Sequence, residues 1–144
     1  MRRAIFSLLT LGAICLCSPA VSQQAKPNGG ADFYHLANSA NTTNATLIKG
    51  SIGNVYAIIA INTTTTVYWL KMYDLSVAPS CNTTPVKLSA PIPYGASNAG
   101  GGFVFPIPAG AQFYSGIGFC LTANAADNDN TAAATGITMT VIYK

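Results

Sequence analysis

The chain has 144 residues, of which 50% are hydrophobic and only 8% are charged, and its formal net charge is +3. Both arginines are within the first three residues, so the rest of the chain holds five lysines against four aspartates. A chain this close to neutral lacks the basic patch that binds nucleic acid or an anionic membrane surface. Its compact runs of β-branched and aromatic residues also exclude a disordered protein.

Residues 1–22 have the order of an export signal. The first three residues (MRR) are basic, residues 4–17 are apolar and uncharged, and residues 18–22 (SPAVS) end in small residues at the spacing that signal peptidase reads. The apolar run is shorter than the roughly 20 residues that a membrane-spanning helix needs. A buried N-terminal helix is the alternative. We predict an exported protein, periplasmic or extracellular, whose mature chain begins at Gln23 and contains no membrane span.

The rest of the chain has the pattern of a small β protein. Residues 23–45 are predicted to form a polar leader with one short strand, at Asp32–Leu36, and residues 46–144 to form the folded domain. Short β-branched and aromatic segments alternate there with turn residues, and no helical periodicity occurs. The pattern predicts one all-β domain, an antiparallel β-sandwich of jelly-roll type. The predicted strands are 46–50, 54–62, 66–76, 86–92, 103–108, 112–122 and 136–143.

The segment 54–62 (NVYAIIAIN) is apolar on both faces. Simple alternation places Ile59 and Ile61 on one face with Val55, and Ile58 on the other. Such a strand is either covered on both sides or part of an assembly surface. The predicted core comprises Ile59, Ile61, Leu70, Phe113, Ile117, Phe119, Met139 and Val141.

The segment 66–76 (TVYWLKMYDLS) is the most aromatic part of the chain. Lys71 marks one face as the wetter one, with aromatic residues beside the lysine stem. We predict an interaction surface made of Tyr68, Trp69, Lys71 and Tyr73. A sugar-binding aromatic platform and ordinary core packing are the alternatives.

In the segment 112–122, Gly116 and Gly118 are predicted to let a backbone or a partner approach closely.

Four cysteines are present, but Cys15 and Cys17 belong to the export signal. Cys81 and Cys120 remain, and in an oxidising compartment they allow a single disulfide. Two unpaired buried thiols are the alternative, since nothing in the sequence shows that the two side chains meet. Two cysteines and one histidine are too few ligands for a typical structural zinc site.

One segment has the spacing of a cation-binding loop. Asp127, Asp129 and Thr131 alternate in ADNDNT and offer oxygen atoms as calcium loops do. The segment departs from the EF-hand pattern because Ala132 stands where glycine is required and no glutamate follows. A turn in which Asp and Asn side chains bond to their own backbone is the alternative. Apart from this weak calcium candidate, no cofactor is predicted.

The inventory of catalytic side chains is sparse. His35 is the only histidine, and the chain contains no glutamate. Asp127 and Asp129 lie too close in sequence to flank a sugar from opposite faces, as the paired carboxylates of glycosidases do. No nucleophile-elbow or phosphate-binding motif occurs. We therefore predict that the protein is not an enzyme.

An ordered set of short motifs between Ile48 and Tyr143 resembles a widespread group of small bacteriophage virion proteins. The motifs are IKGSIGNVY at 48–56, NT at 62–63, YWLKMY at 68–73, TPV at 84–86, PIP at 91–93, GIGF at 116–119, ADNDNT at 126–131 and VIY at 141–143. The resemblance implies a β-sandwich that decorates or joins parts of a virion, with no enzyme activity and no cofactor.

The chain differs from that group in its export signal and in the pair Cys81 and Cys120. These differences suggest a bacterial or prophage-derived copy that acts outside the cytoplasm, or a virion protein if a phage encodes it. The expected partners are copies of the same chain or other structural proteins. The alternative function is a secreted or periplasmic binding module for a glycan or a surface partner.

Overall fold

The computed structural model describes residues 30–95 and 100–144, which form eight β-strands and contain no helix. The predicted signal peptide and its cleavage site lie outside these residues. Among the described residues, no helix is long and apolar enough to span a membrane. The strands are β1 (Asp32–Leu36), β2 (Thr46–Lys49), β3 (Gly53–Asn62), β4 (Tyr68–Asp74), β5 (Leu88–Ile92), β6 (Gly101–Phe113), β7 (Ile117–Thr122) and β8 (Ile137–Tyr143).

The strands form two antiparallel four-stranded sheets packed face to face. The first sheet has the order β1-β8-β3-β6 and the second has the order β2-β7-β4-β5. Each strand of the first half of the chain pairs with its counterpart from the second half: β1 with β8, β2 with β7, β3 with β6 and β4 with β5. This is a long antiparallel hairpin rolled into two layers, which is the jelly-roll topology. The predicted fold class is confirmed.

The core lies between the sheets and is closely packed. Six of the eight predicted core residues are fully or almost fully buried: Leu70, Phe113, Ile117, Phe119, Met139 and Val141. The rings of Tyr34 and Phe119 meet across the layers with centroids 5.6 Å apart. Because Tyr34 belongs to β1, this strand is part of the sandwich, although the sequence pattern assigned it to a polar leader.

Ile59 and Ile61 were predicted in the core, and this prediction is wrong. Ile59 is half-buried and Ile61 is 48% exposed, whereas Ile58 and Ala60 are buried. A bulge in β3 is the reason, because Tyr56 is an extra residue relative to β8: Val55 pairs with Tyr143, and Ala57 already pairs with Ile142. One extra residue moves every later side chain of a strand to the opposite face.

The same irregularity explains why β6 is longer than predicted. Residues 107–110 of β6 lie opposite Tyr56 alone, between the pairs Val55–Ala111 and Ala57–Pro106. Gly110 has a φ of 75°, which favours glycine. Residues 109–111 were predicted to be a turn, but they form part of this bulge, and the strand continues to Phe113.

Candidate functional site

The outer face of the first sheet is a largely apolar surface, which we call the open face. It consists of Phe33, His35, Ala57, Ile59, Ile61, Val104, Thr138, Thr140 and Ile142, as the strand register and burial pattern show. Ile59 lies between Val104 and Thr140, and Ala57 pairs with Ile142, which in turn pairs with Phe33. Phe33 is 67% exposed and Val104 is 68% exposed. None of these nine residues is a lysine or an aspartate.

One end of the open face is a groove between β3 and β6 with a volume of about 450 Å³. Ile59, Ile61 and Val104 line it, together with the backbone of Gly101 and Gly102. The groove is apolar and open to solvent, which are properties of a contact surface rather than of an enclosed catalytic pocket.

The outer face of the second sheet, in contrast, is covered by loops of the same chain. We call it the covered face; it consists of Trp69, Lys71, Tyr73, Gly118, Cys120 and Thr122. The predicted interaction surface was Tyr68, Trp69, Lys71 and Tyr73. For Lys71 and Tyr73 the prediction is wrong, because both are completely buried. Tyr68 packs against the core, and Trp69 is half-buried.

The loop after β4 covers one half of this face and is held there by the disulfide. Cys81 and Cys120 are bonded, with their Cα atoms 6.0 Å apart, so this prediction is confirmed. A Cβ atom on Gly118 would lie 3.1 Å from Pro79 Cδ, so the glycine permits the close approach that the sequence predicted. The approaching group is the protein's own loop.

Tyr73 makes a further contact with this loop, because its hydroxyl group donates to the Cys81 carbonyl at 3.3 Å. Burial, together with the charge of Asp127, raises the pKa of Tyr73 to about 12.

The loop after β7 covers the other half through the Lys71 ammonium group. Lys71 Nζ donates to the carbonyl oxygen of Ala126 and, at 3.4 Å, to that of Asp129. Burial lowers the pKa of Lys71, and the carboxylates of Asp129 and Asp127 offset part of this effect. A buried ammonium group without partners is costly, and this loop supplies the partners.

The predicted calcium segment is this same loop. The Asp129 carboxylate accepts bonds from the backbone N–H of Asn124 at 2.9 Å and from the Thr131 hydroxyl at 2.7 Å. Burial raises the pKa of Asp129, but the bonds from Thr131 and Asn124 outweigh it and hold the pKa well below its usual range. Calcium would compete with these bonds and with the Lys71 ammonium group nearby. The geometry therefore favours the alternative, a self-bonded turn.

Asp74, at the end of β4, was not singled out from the sequence. Its carboxylate accepts the backbone N–H groups of Tyr114 at 2.9 Å and Ser115 at 2.6 Å, and it pairs with Lys87 at 2.8 Å. Burial raises the pKa of Asp74, but the bonds from Lys87 and from the backbone outweigh this effect, and the pKa is well below its usual range. Asp74 thus fastens the turn between β6 and β7.

His35 lies on the exposed open face, away from the aspartates just described. Its Nδ1 atom is 3.0 Å from the Thr140 hydroxyl, on the neighbouring strand. Within residues 30–95 and 100–144, no group of three or more His, Cys, Asp or Glu side chains is placed to hold a metal ion.

No known family model, curated protein or solved structure matches this chain.

Proposed function

We propose that this protein is a non-enzymatic structural protein that acts by packing against copies of itself or against other structural proteins. The open face carries this proposal. It presents several large apolar side chains side by side, and extended exposed apolar patches commonly mark protein interaction sites. Because none of its nine residues is a lysine or an aspartate, the open faces of two copies can approach each other without charge repulsion.

The phage virion role that the sequence resemblance implies, decoration or connection of particle parts, is one form of this function. Jelly rolls occur in viral capsid proteins and also in lectins, so the topology alone does not choose between the two. The disulfide is typical of proteins in non-reducing, exported environments. We propose that the protein is exported and works in the periplasm, outside the cell, or on a virion if a phage encodes it.

The alternative, a secreted glycan-binding module, has less support. Its expected platform was the aromatic strand β4, but Tyr73 is buried beneath a loop and Tyr68 packs against the core. Only Trp69 remains partly accessible on that face.

Sedimentation velocity over a range of protein concentrations tests the proposed function. The Val104→Lys variant should associate more weakly than the wild type at the same concentration, because the ammonium group would have to be desolvated in the contact. Val77→Lys is the matched control: Val77 is 64% exposed, close to the 68% of Val104, but it lies in the loop beside the covered face. A wild type that is monomeric throughout, or equal effects of the two substitutions, would contradict self-association through the open face.

A further inference from the structure

We infer that a second copy of this chain pairs with the free edge of β1, so that the two first sheets join into one continuous sheet. This inference rests on the proposed function, since it names the partner and adds a contact at the edge of the first sheet that is opposite to β6 and Val104. It follows from comparing the edges of the two sheets.

The described structure has four edge strands, and three of them carry features that prevent further pairing. β6 contains Pro106 and Pro108 and is bulged. β5 contains Pro91, and β2 is short, ends at Lys49 and has an irregular register. Proline, lysine and bulges are the usual means by which edge strands avoid pairing with other chains.

β1 is also short, but it contains no proline, no lysine and no bulge. Its sequence is Asp-Phe-Tyr-His-Leu, and its register with β8 is regular over all five residues. Tyr34 and Leu36 pack against the core, so the backbone of the edge is held in an extended conformation. A regular, anchored edge without proline or lysine is a template for strand addition.

The register of the pairing follows from the length of the strand. Two antiparallel copies of β1 overlap over all five residues only when Tyr34 lies opposite Tyr34 of the other copy. Phe33 then lies opposite His35, and Asp32 lies opposite Leu36, so no two aspartates face each other. Moving the register by two residues keeps the side chains on their faces but leaves three pairs. Such a contact has twofold symmetry, so association through it stops at a dimer. It joins the two first sheets at their β1 edges and places the two open faces side by side.

Disulfide trapping tests both the contact and its register. Two full-length variants are made, Phe33→Cys and His35→Cys, each also carrying Cys15→Ala and Cys17→Ala so that the new cysteine is the only free one. Directly opposed residues of paired strands have Cα atoms about 4.5–5.5 Å apart, which a disulfide can span. Under mild oxidation, each variant alone should stay at the monomer mass on a non-reducing gel. An equimolar mixture should shift to twice that mass, through a bond from residue 33 to residue 35.

The other outcomes separate the two proposals. Cross-linking of the Phe33→Cys variant with itself would overturn the register. A mixture that does not cross-link, although sedimentation shows dimers, would overturn the β1 contact and leave the open face as the site of association. A wild type that is monomeric at every concentration would overturn both.

Discussion

The outer face of the second sheet is covered by its own loops, whereas the outer face of the first sheet has no cover among the described residues. The covered face carries Lys71, Tyr73 and Cys120, whose polar or reactive atoms need partners once they are buried. The loops 75–87 and 123–132 supply those partners with carbonyl groups and a disulfide. The open face consists mainly of apolar side chains, which need no hydrogen-bond partner within the chain.

This contrast separates stability from function within one small fold. Interactions on the covered face hold the chain together, so changes there should lower the free energy of unfolding. Changes on the open face should affect association and leave the folded monomer almost as stable as before. The following substitutions test this separation, in order of decreasing effect on the monomer.

Removal of the disulfide is expected to have the largest effect. In the chain-entropy model, a link that spans 39 residues stabilises by about 3–4 kcal/mol, so Cys81→Ala with Cys120→Ala should lower the free energy of unfolding by that order. Urea titration monitored by Trp69 fluorescence measures the change. Titration of the wild type with a reductant present is the control and should give a similar loss. A loss below about 1 kcal/mol would mean that other contacts, such as the hydrogen bond from Tyr73 to the Cys81 carbonyl, are enough to hold the loop 75–87.

Lys71→Met should have the next largest effect. The methionine side chain keeps most of the apolar volume, but the carbonyl oxygen of Ala126 loses its bond from Lys71. A hydrogen bond to a charged group contributes about 1.5–3 kcal/mol, so the loss should be of this order at most. Lys49→Met, on the half-buried edge strand β2, is the matched control and should change the stability by less than about 0.5 kcal/mol. Equal losses in the two variants would show that the loop 123–132 does not depend on the ammonium group.

Parts of this contrast could be predicted from the sequence, and the reasons differ from residue to residue. Alternation identified most of the strands, although the predicted strand 112–122 is divided between β6 and β7. Two cysteines outside the predicted signal allowed only one disulfide. The burial of Lys71 could not be predicted, because its partner Ala126 is 55 residues further along the chain. The bulge at Tyr56 was missed because its signal is on the paired strand, in Pro106, Pro108 and Gly110. The apolar character of both faces of β3 was recognised, but Ile59 and Ile61 were assigned to the core and the interaction surface was assigned to β4.

Acid should loosen the turn between β6 and β7 through Asp74. The pKa of Asp74 is lowered in the folded state, so its contribution is complete above the ordinary aspartate pKa, near 4, and is lost as the pH falls further toward the folded value. Asp74→Asn should therefore be less stable than the wild type at pH 7, and the difference should shrink at pH 2–3. Asp32→Asn, on the exposed edge strand β1, is the control. A pH-independent difference between Asp74→Asn and the wild type would assign the effect to altered packing.

The smallest effect is expected for Val104→Thr, which replaces one methyl group of the open face by a hydroxyl group of nearly the same size. Val104 is 68% exposed, so the free energy of unfolding of the monomer should change by less than about 0.5 kcal/mol. Val141→Thr makes the same replacement in the core, where the side chain is fully buried, and should cost about 1–3 kcal/mol.

The effect of Val104→Thr should depend on the protein concentration. Binding that occurs only in the folded state adds to apparent stability by mass action. At concentrations at which the wild type is monomeric, Val104→Thr should therefore match it. At higher concentrations the wild type should gain more thermal stability than Val104→Thr, because it associates more tightly. Val77→Thr, beside the covered face, should follow the wild type at every concentration. A large loss for Val104→Thr in dilute solution would mean that the open face is engaged within the monomer, and the contrast between the two faces would fail.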